Sequence, residues 1–523
     1  MDAEPPPLNL DYESYHIELD SAPMPFVDWA LVDPGHVSWT LPSGEPAPLS
    51  GLHGLDSPDE VTPVPVNEPS GIRIQVQAAE KQGRFLDLMP AEYPWEQGRV
   101  KAVTLAYDDD ASCYRVWYEC RGGLGYADSP DLRTWRKPPL NPTPFDDAKA
   151  SNLAYIANSD ECAASGMFQH PDSLQPAQAG SILIDPSAEP DRRFKTTVLA
   201  SAIPDRLNEF ARKTGKMLSS RVSPVSANVL FPAYSADGVA WHVVPEPCLL
   251  HDADTQTVVL FDRRTSSYVM YTRNWTLGRR TIGRSISQDY FDFPLPQTVL
   301  APTAYEQPFV DFYVNAAAWY PSRRDLQLLF VLAYDRHIDS GAIRLATSRD
   351  GMFWEFTPGD PVVAPGSPSE WDSHFPISIP SLVRTPEGGL LFLYNGYNLP
   401  HKFPRTGFVE GDQGIAYWKA DRLAALEAPD RGTFTTPRLR LRGERLIVNA
   451  STARSGSIEI EVLDERLAPV PGRTFAEFDA LVGDNANFTA TWKGESDLAD
   501  WMDQFVHLRF RMRAAKIYAM RAE

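Results

Sequence analysis

The chain has 523 residues and a formal net charge of −20, from 69 acidic against 49 basic side chains. That length is ample for two or more domains, and an acidic body repels phosphates, which argues against nucleic acid as a partner. With 47 prolines, 11% aromatic residues and few long 3.6-residue patterns, the composition is that of a mainly β protein.

Met1–Leu10 is acidic and Pro-rich, with no apolar core of a signal peptide, and no run along the chain is apolar enough to span a membrane. The expectation is a cytoplasmic protein, or a secreted one if a leader has been removed. Residues 1–70 are irregular, with one candidate strand at Tyr15–Leu19. Trp29 and Trp39 make this stretch too apolar for a free tail, so it is expected to wrap over another surface.

From Gly71 the chain repeats. Val100–Tyr107, Cys113–Glu119, Gly125–Ser129 and Thr134–Lys137 form a first four-strand unit, with Asp108-Asp109-Asp110 as a solvated turn. The second runs through Asn152–Ala157, Gly180–Ile184, Phe194–Ala200 and Ala227–Ser235 to Trp241, with an insertion over 201–226. Pro204–Met217 within it reads as a helix or an inserted loop. The third unit is Thr255–Phe261, Ser267–Arg273, Thr281–Ser287 and the region of Phe293. The fourth is Tyr313–Tyr320, Leu326–Tyr334, Ala342–Ser348 and Trp354–Thr357. The fifth is Ile377–Arg384, Gly389–Tyr394 and Gly414–Lys419, closed by Gly432–Thr435. Asp421–Leu426 is the best helix candidate.

Four of the units carry one motif. Ser348-Arg349-Asp350-Gly351-Met352-Phe353-Trp354 is nearly copied by Ser235–Trp241, keeps its offsets in Ser129–Trp135, and appears with Phe for Trp in Ser287–Phe293. Asp-Gly supplies a tight turn and Trp opens the returning strand. Five four-strand units around one axis describe a five-bladed β-propeller. Beyond it, 436–523 alternates with the period of half-buried strands and reads as a separate C-terminal β-sandwich. The last 90 residues hold 13 basic and 13 acidic side chains, so the acidic excess lies in the first 433. The expected organisation is thus 1–70 wrapping segment, 71–435 propeller and 436–523 sandwich.

On these hairpins, and on Pro94-Trp95-Glu96, Tyr114-Arg115-Val116-Trp117-Tyr118 and Tyr126-Ala127-Asp128-Ser129-Pro130-Asp131, residues 70–435 resemble the five-bladed propeller glycosidases related to invertases, levanases and arabinofuranosidases. They are most similar to an uncharacterised bacterial branch of that superfamily. The resemblance implies a glycoside hydrolase acting on an oligo- or polysaccharide, possibly a furanoside, and on the arabinofuranosidase side it implies inversion. The chain departs from invertases in lacking Trp-Met-Asn-Asp-Pro-Asn-Gly, Arg-Asp-Pro and Glu-Cys-Pro, which carry their acids. Two alternatives stand beside hydrolysis: a phosphorylase on the same fold, and a non-catalytic carbohydrate-binding propeller.

In a propeller the innermost strand of each blade lines the axis, so the starts of those strands are where a ligand site forms. Glu96, Asn152, Asp254, Asp311, Glu370 and Asp372 stand there in the sequence. Glycoside hydrolysis needs two carboxyls, one to protonate the leaving oxygen and one as base or nucleophile. The candidate set is Glu96, Asp254, Asp311, Glu370 and Asp372, with Asp311 or Glu370 as acid and Glu96 or Asp254 as base or nucleophile. Trp95, Asn152, Arg273, Tyr313, Trp371, His374 and Asn395 are the candidate substrate contacts. Cys113, Cys120, Cys162 and Cys248 match no zinc spacing and read as free thiols, Cys113 and Cys120 at opposite ends of one strand. No cofactor is expected; a structural calcium ion remains compatible with the oxygen-donor side chains. Oligomeric state is not legible.

Overall fold

The computed structural model describes residues 16–43, 62–97, 100–142, 149–222, 227–402 and 411–523. Met1–Leu10, with its leader question, and the end of the insertion at 223–226 lie outside the described residues. Two compact bodies form: Ala78–Phe356 with Asp360–Ala420, and Met1–Gln77 with Thr357–Gly359 and Asp421–Glu523.

The first body is the expected five-bladed propeller. Blade one is Lys101–Asp108, Cys113–Cys120 and Gly123–Ser129, extended by a bridge from Asp128 to Arg136. Blade three is Val258–Asp262, Ser267–Thr276, Arg279–Ser287 and Gln297–Leu300, and blade four is Val310–Trp319, Gln327–Asp335, Ser340–Ser348 and Glu355–Phe356. Their neighbours pair antiparallel throughout. Cys113 and Cys120 are the first and last residues of one strand, and all four cysteines are free.

Two blades differ from the sequence expectation. In blade two the inner strand is Leu183–Ile184, followed by Phe194–Ser201, Asn228–Ser235 and Ala240–Val243. Tyr155–Ile156, expected as the inner strand, instead pairs parallel with Ala240–Trp241 at the outer edge. There the N–H groups of Tyr155 and Ala157 meet the carbonyls of Val239 and Trp241 at 2.9 and 2.7 Å, so an exposed edge is covered. Pro204–Thr214 is a helix, started by Pro in its first turn and stopped by Gly215 at φ +71°.

In blade five the strands Ile377–Ser378, Val383–Arg384, Leu390–Gly396 and Asp412–Trp418 are closed by Glu80–Arg84, not by Gly432–Thr435. The outer strand of the last blade therefore comes from chain preceding the first, which ties the ring shut. Gly432–Thr435 belongs to the second body.

Two of the motif hairpins, Ser348–Trp354 and Ser235–Trp241, share one hydrogen-bond pattern. Gly351 N–H donates to Ser348 Oγ at 2.8 Å, the Met352 and Phe353 N–H groups donate to Asp350 Oδ1 at 2.8 and 2.9 Å, and Trp354 Nε1 donates to the Gly351 carbonyl at 3.0 Å. Ser235–Trp241 repeats every bond, with 2.9 Å from Gly238 N–H to Ser235 Oγ and 3.1 Å from Trp241 Nε1 to the Gly238 carbonyl. Both glycines sit at positive φ, +74° and +80°, and Leu132 takes +64° in the variant hairpin. A small polar residue and an acid are thus the part repeated across blades, and the Cβ-free turn completes the device in blades two and four.

The second body holds one hydrogen-bonded network of eight strands joined through Phe505–Ala522, and a separate antiparallel pair, His36–Thr40 with Thr62–Val66. Leu446–Leu463, Ala424–Thr435 and Leu439–Leu441 pair with that strand, and the N-terminal stretch adds Ile17–Leu19, Met24–Pro25 and Arg73–Val76. The N-terminal segment therefore supplies strands rather than only a wrap, and the expected boundary at 435/436 falls beyond a strand that starts at Ala424. Asp421–Leu426 is not helical: Ala424–Glu427 pairs with Arg73–Val76. Leu426, Phe434, Ile460, Phe510 and Ile517 are buried in one apolar core. Among the described residues no helix is long and apolar enough to cross a membrane.

Candidate functional site

Because the four strands of a blade alternate in direction, one end of the propeller collects the starts of the inner strands and the second-to-third strand connections. The motif hairpins collect at the other end. The start end holds Lys101, Asp254, Gln256, Tyr313 and Ser378, together with Trp275, Arg280 and His401 from the connections.

The five candidate acids do not share one environment. Glu96 is buried in blade one. Its carboxyl accepts from Lys137 Nζ at 2.9 Å, from the Glu92 and Tyr93 N–H groups at 2.7 and 3.1 Å, and from the Tyr118 hydroxyl. Burial alone pushes this carboxyl up, but the bonds from Tyr118, Lys137 and the two backbone groups outweigh it and hold it below its usual range. Trp95 and Asn152 belong to the same cluster: Trp95 Nε1 donates to Asn152 Oδ1 at 3.0 Å, and Asn152 Nδ2 donates to the Tyr126 carbonyl at 2.9 Å. Both are buried, and Trp95 stacks on Tyr93.

Asp311 is fully buried in blade four. Arg280 donates to it from its backbone N–H at 3.0 Å and from NH1 at 2.6 Å, and Arg336 NH2 donates at 2.7 Å. Asp254 is the opposite case: its side chain is 64% exposed, it holds φ +50°, and its Oδ2 accepts from Arg273 NH1 at 2.9 Å.

Glu370 and Asp372 are brought together. A Cβ at Gly366 would collide with Asp372 Oδ1 and Glu370 Oε2, so both carboxyls converge on that glycine backbone. Glu370 is exposed and accepts the Ser367 N–H at 2.5 Å. Asp372 is buried, and its Oδ2 accepts from Lys81 Nζ at 2.6 Å and the Tyr394 hydroxyl at 2.7 Å. Trp371 stacks on Tyr394, with Arg84 and Lys81 over the two rings.

Arg273 and Tyr313, expected as contacts, do meet. The buried Arg273 guanidinium lies 4.4 Å from the Tyr313 ring centroid, and its NH2 donates to the Tyr313 carbonyl at 3.2 Å. Tyr313 OH is 2.9 Å from His401 Nε2. Burial, then the nearby Lys402 charge, holds the His401 imidazole down to about 4, so it is neutral at pH 7. His374 is half-buried, with its N–H on the Tyr397 carbonyl at 2.9 Å. Asn395 accepts from Gln413 Nε2 at 3.0 Å, and Gln413 also grips the Ala102 N–H and carbonyl, joining blade five to blade one.

Sequence reasoning did not find Lys81, Lys137, Arg280, Gln256 or Gln413. Gln256 had no signal: its Nε2 donates to the Asn315 carbonyl at 2.5 Å and lies 3.4 Å from the Ser378 carbonyl, tying blade three to blades four and five across the axis.

Below that tie the axis opens into a cavity of about 620 Å³ lined by all five inner strands, through Ala106, Leu183, Leu260, Trp319 and Val383 among others. None of the five candidate acids lines it. Asp108, the first acid of the turn expected to be solvated, lines a second, smaller cavity that shares Tyr107, Leu183 and Trp319 with the first, and it is fully buried. Burial would raise this carboxyl, yet the bonds from Arg193, the Ala111 N–H and Arg115 bring it down to about 2. A depressed acid stabilises the fold above its unfolded value and loses that contribution as pH falls through its folded one, here from 3.8 toward about 2. Asp108→Asn is therefore expected to lower the urea midpoint at neutral pH by an amount equivalent to about 2 kcal/mol, with the gap to wild type closing as pH falls through that window. A gap of constant size would rule the ion pairs out as its cause.

Among the described residues no group of three or more His, Cys, Asp or Glu side chains is placed to hold a metal ion.

No family model matches this chain, and no curated protein matches it. Solved structures do. A thermostable family-43 glycoside hydrolase is 13% identical over 65% of this chain and 96% of its own, with a TM-score of 0.40. An endo-arabinase from Bacteroides thetaiotaomicron is 14% identical over 62% and 95%, with a TM-score of 0.37. An N-acetylgalactosamine deacetylase from F. plautii, solved with blood group B trisaccharide, is 12% identical over 68% and 97%, also with a TM-score of 0.37.

Proposed function

We propose that the chain hydrolyses glycosidic bonds of an oligo- or polysaccharide at the end of the propeller where the inner strands start. One observation carries this reading. Of the five candidate acids, only Asp254 and Glu370 face solvent, on blades three and five; Asp254 pairs with Arg273, whose guanidinium lies over the Tyr313 ring, and Glu370 precedes Trp371, which stacks on Tyr394. Glu370 further converges with Asp372, whose second oxygen is held by Lys81 and Tyr394. In this reading Glu370 and Asp254 are the acid and base that meet the substrate. Asp372 is a positioning residue for Glu370, and Glu96 and Asp311 are structural anchors. Trp371, Tyr313 and His374 flank the sugar.

The test begins with release of reducing ends from a panel of plant, algal and bacterial polysaccharides. On an active substrate, Glu370→Gln and Asp254→Asn should each lose on the order of 10²-fold or more in turnover while the melting point holds. Retention of turnover within a few-fold by both variants would end the paired-carboxylate mechanism. Prolonged EDTA treatment should leave turnover intact, since hydrolysis by two carboxyls needs no metal.

A further inference from the structure

At the mouth of blades three and four, three guanidinium groups alternate with two aromatic rings. Arg221 lies 4.5 Å from the Trp275 centroid and Arg280 lies 4.8 Å from the same ring. Arg280 is also 4.7 Å from the Tyr313 centroid, and Arg273 is 4.4 Å from it. The strands explain the ladder. Arg273 and Trp275 are two apart on one strand and so share a face, while Arg280 is the cross-strand partner of Trp275. Tyr313 comes from the inner strand of the next blade.

The ladder is rich in unused donors. Arg273 Nε, Trp275 Nε1 and Arg280 Nε are all buried and hydrogen-bonded to nothing among the described residues. Arg273 is 1% exposed, so its free Nε–H cannot be satisfied by bulk water. Buried polar groups are nearly always bonded, and a cluster of orphan donors of one kind marks a place for an acceptor. Two of the three cations already hold carboxylates, Arg273 on Asp254 and Arg280 on Asp311, whereas no described carboxylate pairs with the exposed Arg221. Cations held over ring faces keep their charge and their in-plane N–H groups free for a ligand. On a chain of net charge −20, such a concentration of positive charge is a local exception.

We infer that the Arg221–Trp275–Arg280–Tyr313–Arg273 ladder is an oxyanion subsite, which gives the glycan an acidic group, most simply the carboxylate of a uronic acid sugar. Guanidinium forks match a carboxylate with two parallel N–H bonds, offered in the plane of each fork and so beside the rings rather than on their covered faces. Burial weakens the hold of Arg273 on its proton, and a bound anion reverses that penalty. The glycan half of the inference rests on the carbohydrate reading above; the oxyanion half does not. Free phosphate offers the same oxygen chemistry, so the experiment separates the two sources.

Binding is measured by calorimetry and by Trp fluorescence with trigalacturonate, with uncharged galactotriose and with inorganic phosphate. The wild-type chain should take trigalacturonate at least roughly tenfold more tightly than galactotriose, and the preference should shrink with added salt. Arg221→Gln, at an exposed position, should reduce that preference several-fold, Arg221→Lys should restore part of it, and Trp275→Phe should remove the fluorescence response. Equal binding of both trisaccharides, unmoved by Arg221→Gln, overturns the oxyanion subsite and leaves the carbohydrate reading standing. Binding of phosphate alone, sensitive to Arg221→Gln, supports the subsite, identifies its source as a free anion and removes the acidic-glycan assignment. Binding of neither anion overturns the inference.

Discussion

Replacing Lys137 by methionine is expected to cost about 3–5 kcal/mol of stability. Lys137 and Glu96 form an ion pair at 2.9 Å with side chains 1% and 0% exposed, and Lys137 Nζ also donates to the Pro90 carbonyl at 2.8 Å. Removing the cation leaves Glu96 charged in blade one, bonded to Tyr118 and two backbone N–H groups but with no opposite charge. Its alternative, taking up a proton, sacrifices the environment that holds it ionised. The double variant Lys137→Met/Glu96→Gln should recover a large part of the loss, since a neutral pair of similar volume avoids the buried charge altogether. Thermal melting of the two singles and the double measures this. A Lys137→Met variant that melts with the wild type would mean that Glu96 is neutral in the fold. If Glu96→Gln instead abolished turnover and spared the melting point, Glu96 would be a catalytic acid and not an anchor.

This cluster also shows where the sequence was readable. The hairpins were, because their chemistry is local: Ser and Asp two apart, with a positive-φ position after the Asp in three of the copies, determine the turn, and four copies determine the repeat. The closing strand was not. Glu80-Lys81-Gln82-Gly83-Arg84 has no apolar alternation, and it is a strand only because the edge of Asp412–Trp418 needs a partner. Leu423-Ala424-Ala425-Leu426-Glu427-Ala428 favours helix by propensity, but pairing on both sides, with Arg73–Val76 and with Phe505–Ala522, overrides it. At the candidate site the acids were found, and so was Arg273 beside Asp254, but the cations that hold the buried acids were not. Lys81 stands 291 residues from Asp372, Lys137 stands 41 from Glu96, and Arg280 stands 31 from Asp311. Whether an acid serves as an anchor or faces a substrate is decided by such partners. An apolar-flanked acid such as Asp311 therefore carries the same sequence signal in either role.

Asp311→Ala is expected to be as destabilising as Lys137→Met, about 3–5 kcal/mol, and to reach further. The fully buried Asp311 carboxylate holds Arg280 by two bonds and Arg336 by one. Without it Arg280, only 14% exposed, keeps a charge with no partner beside Trp275 and Tyr313. Arg336 is 39% exposed and can turn to water, so Arg336→Met should be the milder change. The order of melting points should then be wild type, Arg336→Met and Asp311→Ala. Asp311→Asn should fall between the last two, because it preserves shape and can still accept the Arg280 N–H. The loss should also appear at the ladder. With Arg280 released, the order that aligns Trp275 and Tyr313 weakens, so trigalacturonate binding should drop in the Asp311 variants at temperatures where they remain folded. An Asp311→Asn variant that melts with the wild type but has lost turnover would reverse this assignment, making Asp311 the proton donor and Arg280 the group that tunes it. Loss of both stability and ladder binding, with Asp254 and Glu370 intact, is the result expected of a carboxylate whose work is to hold one guanidinium in place.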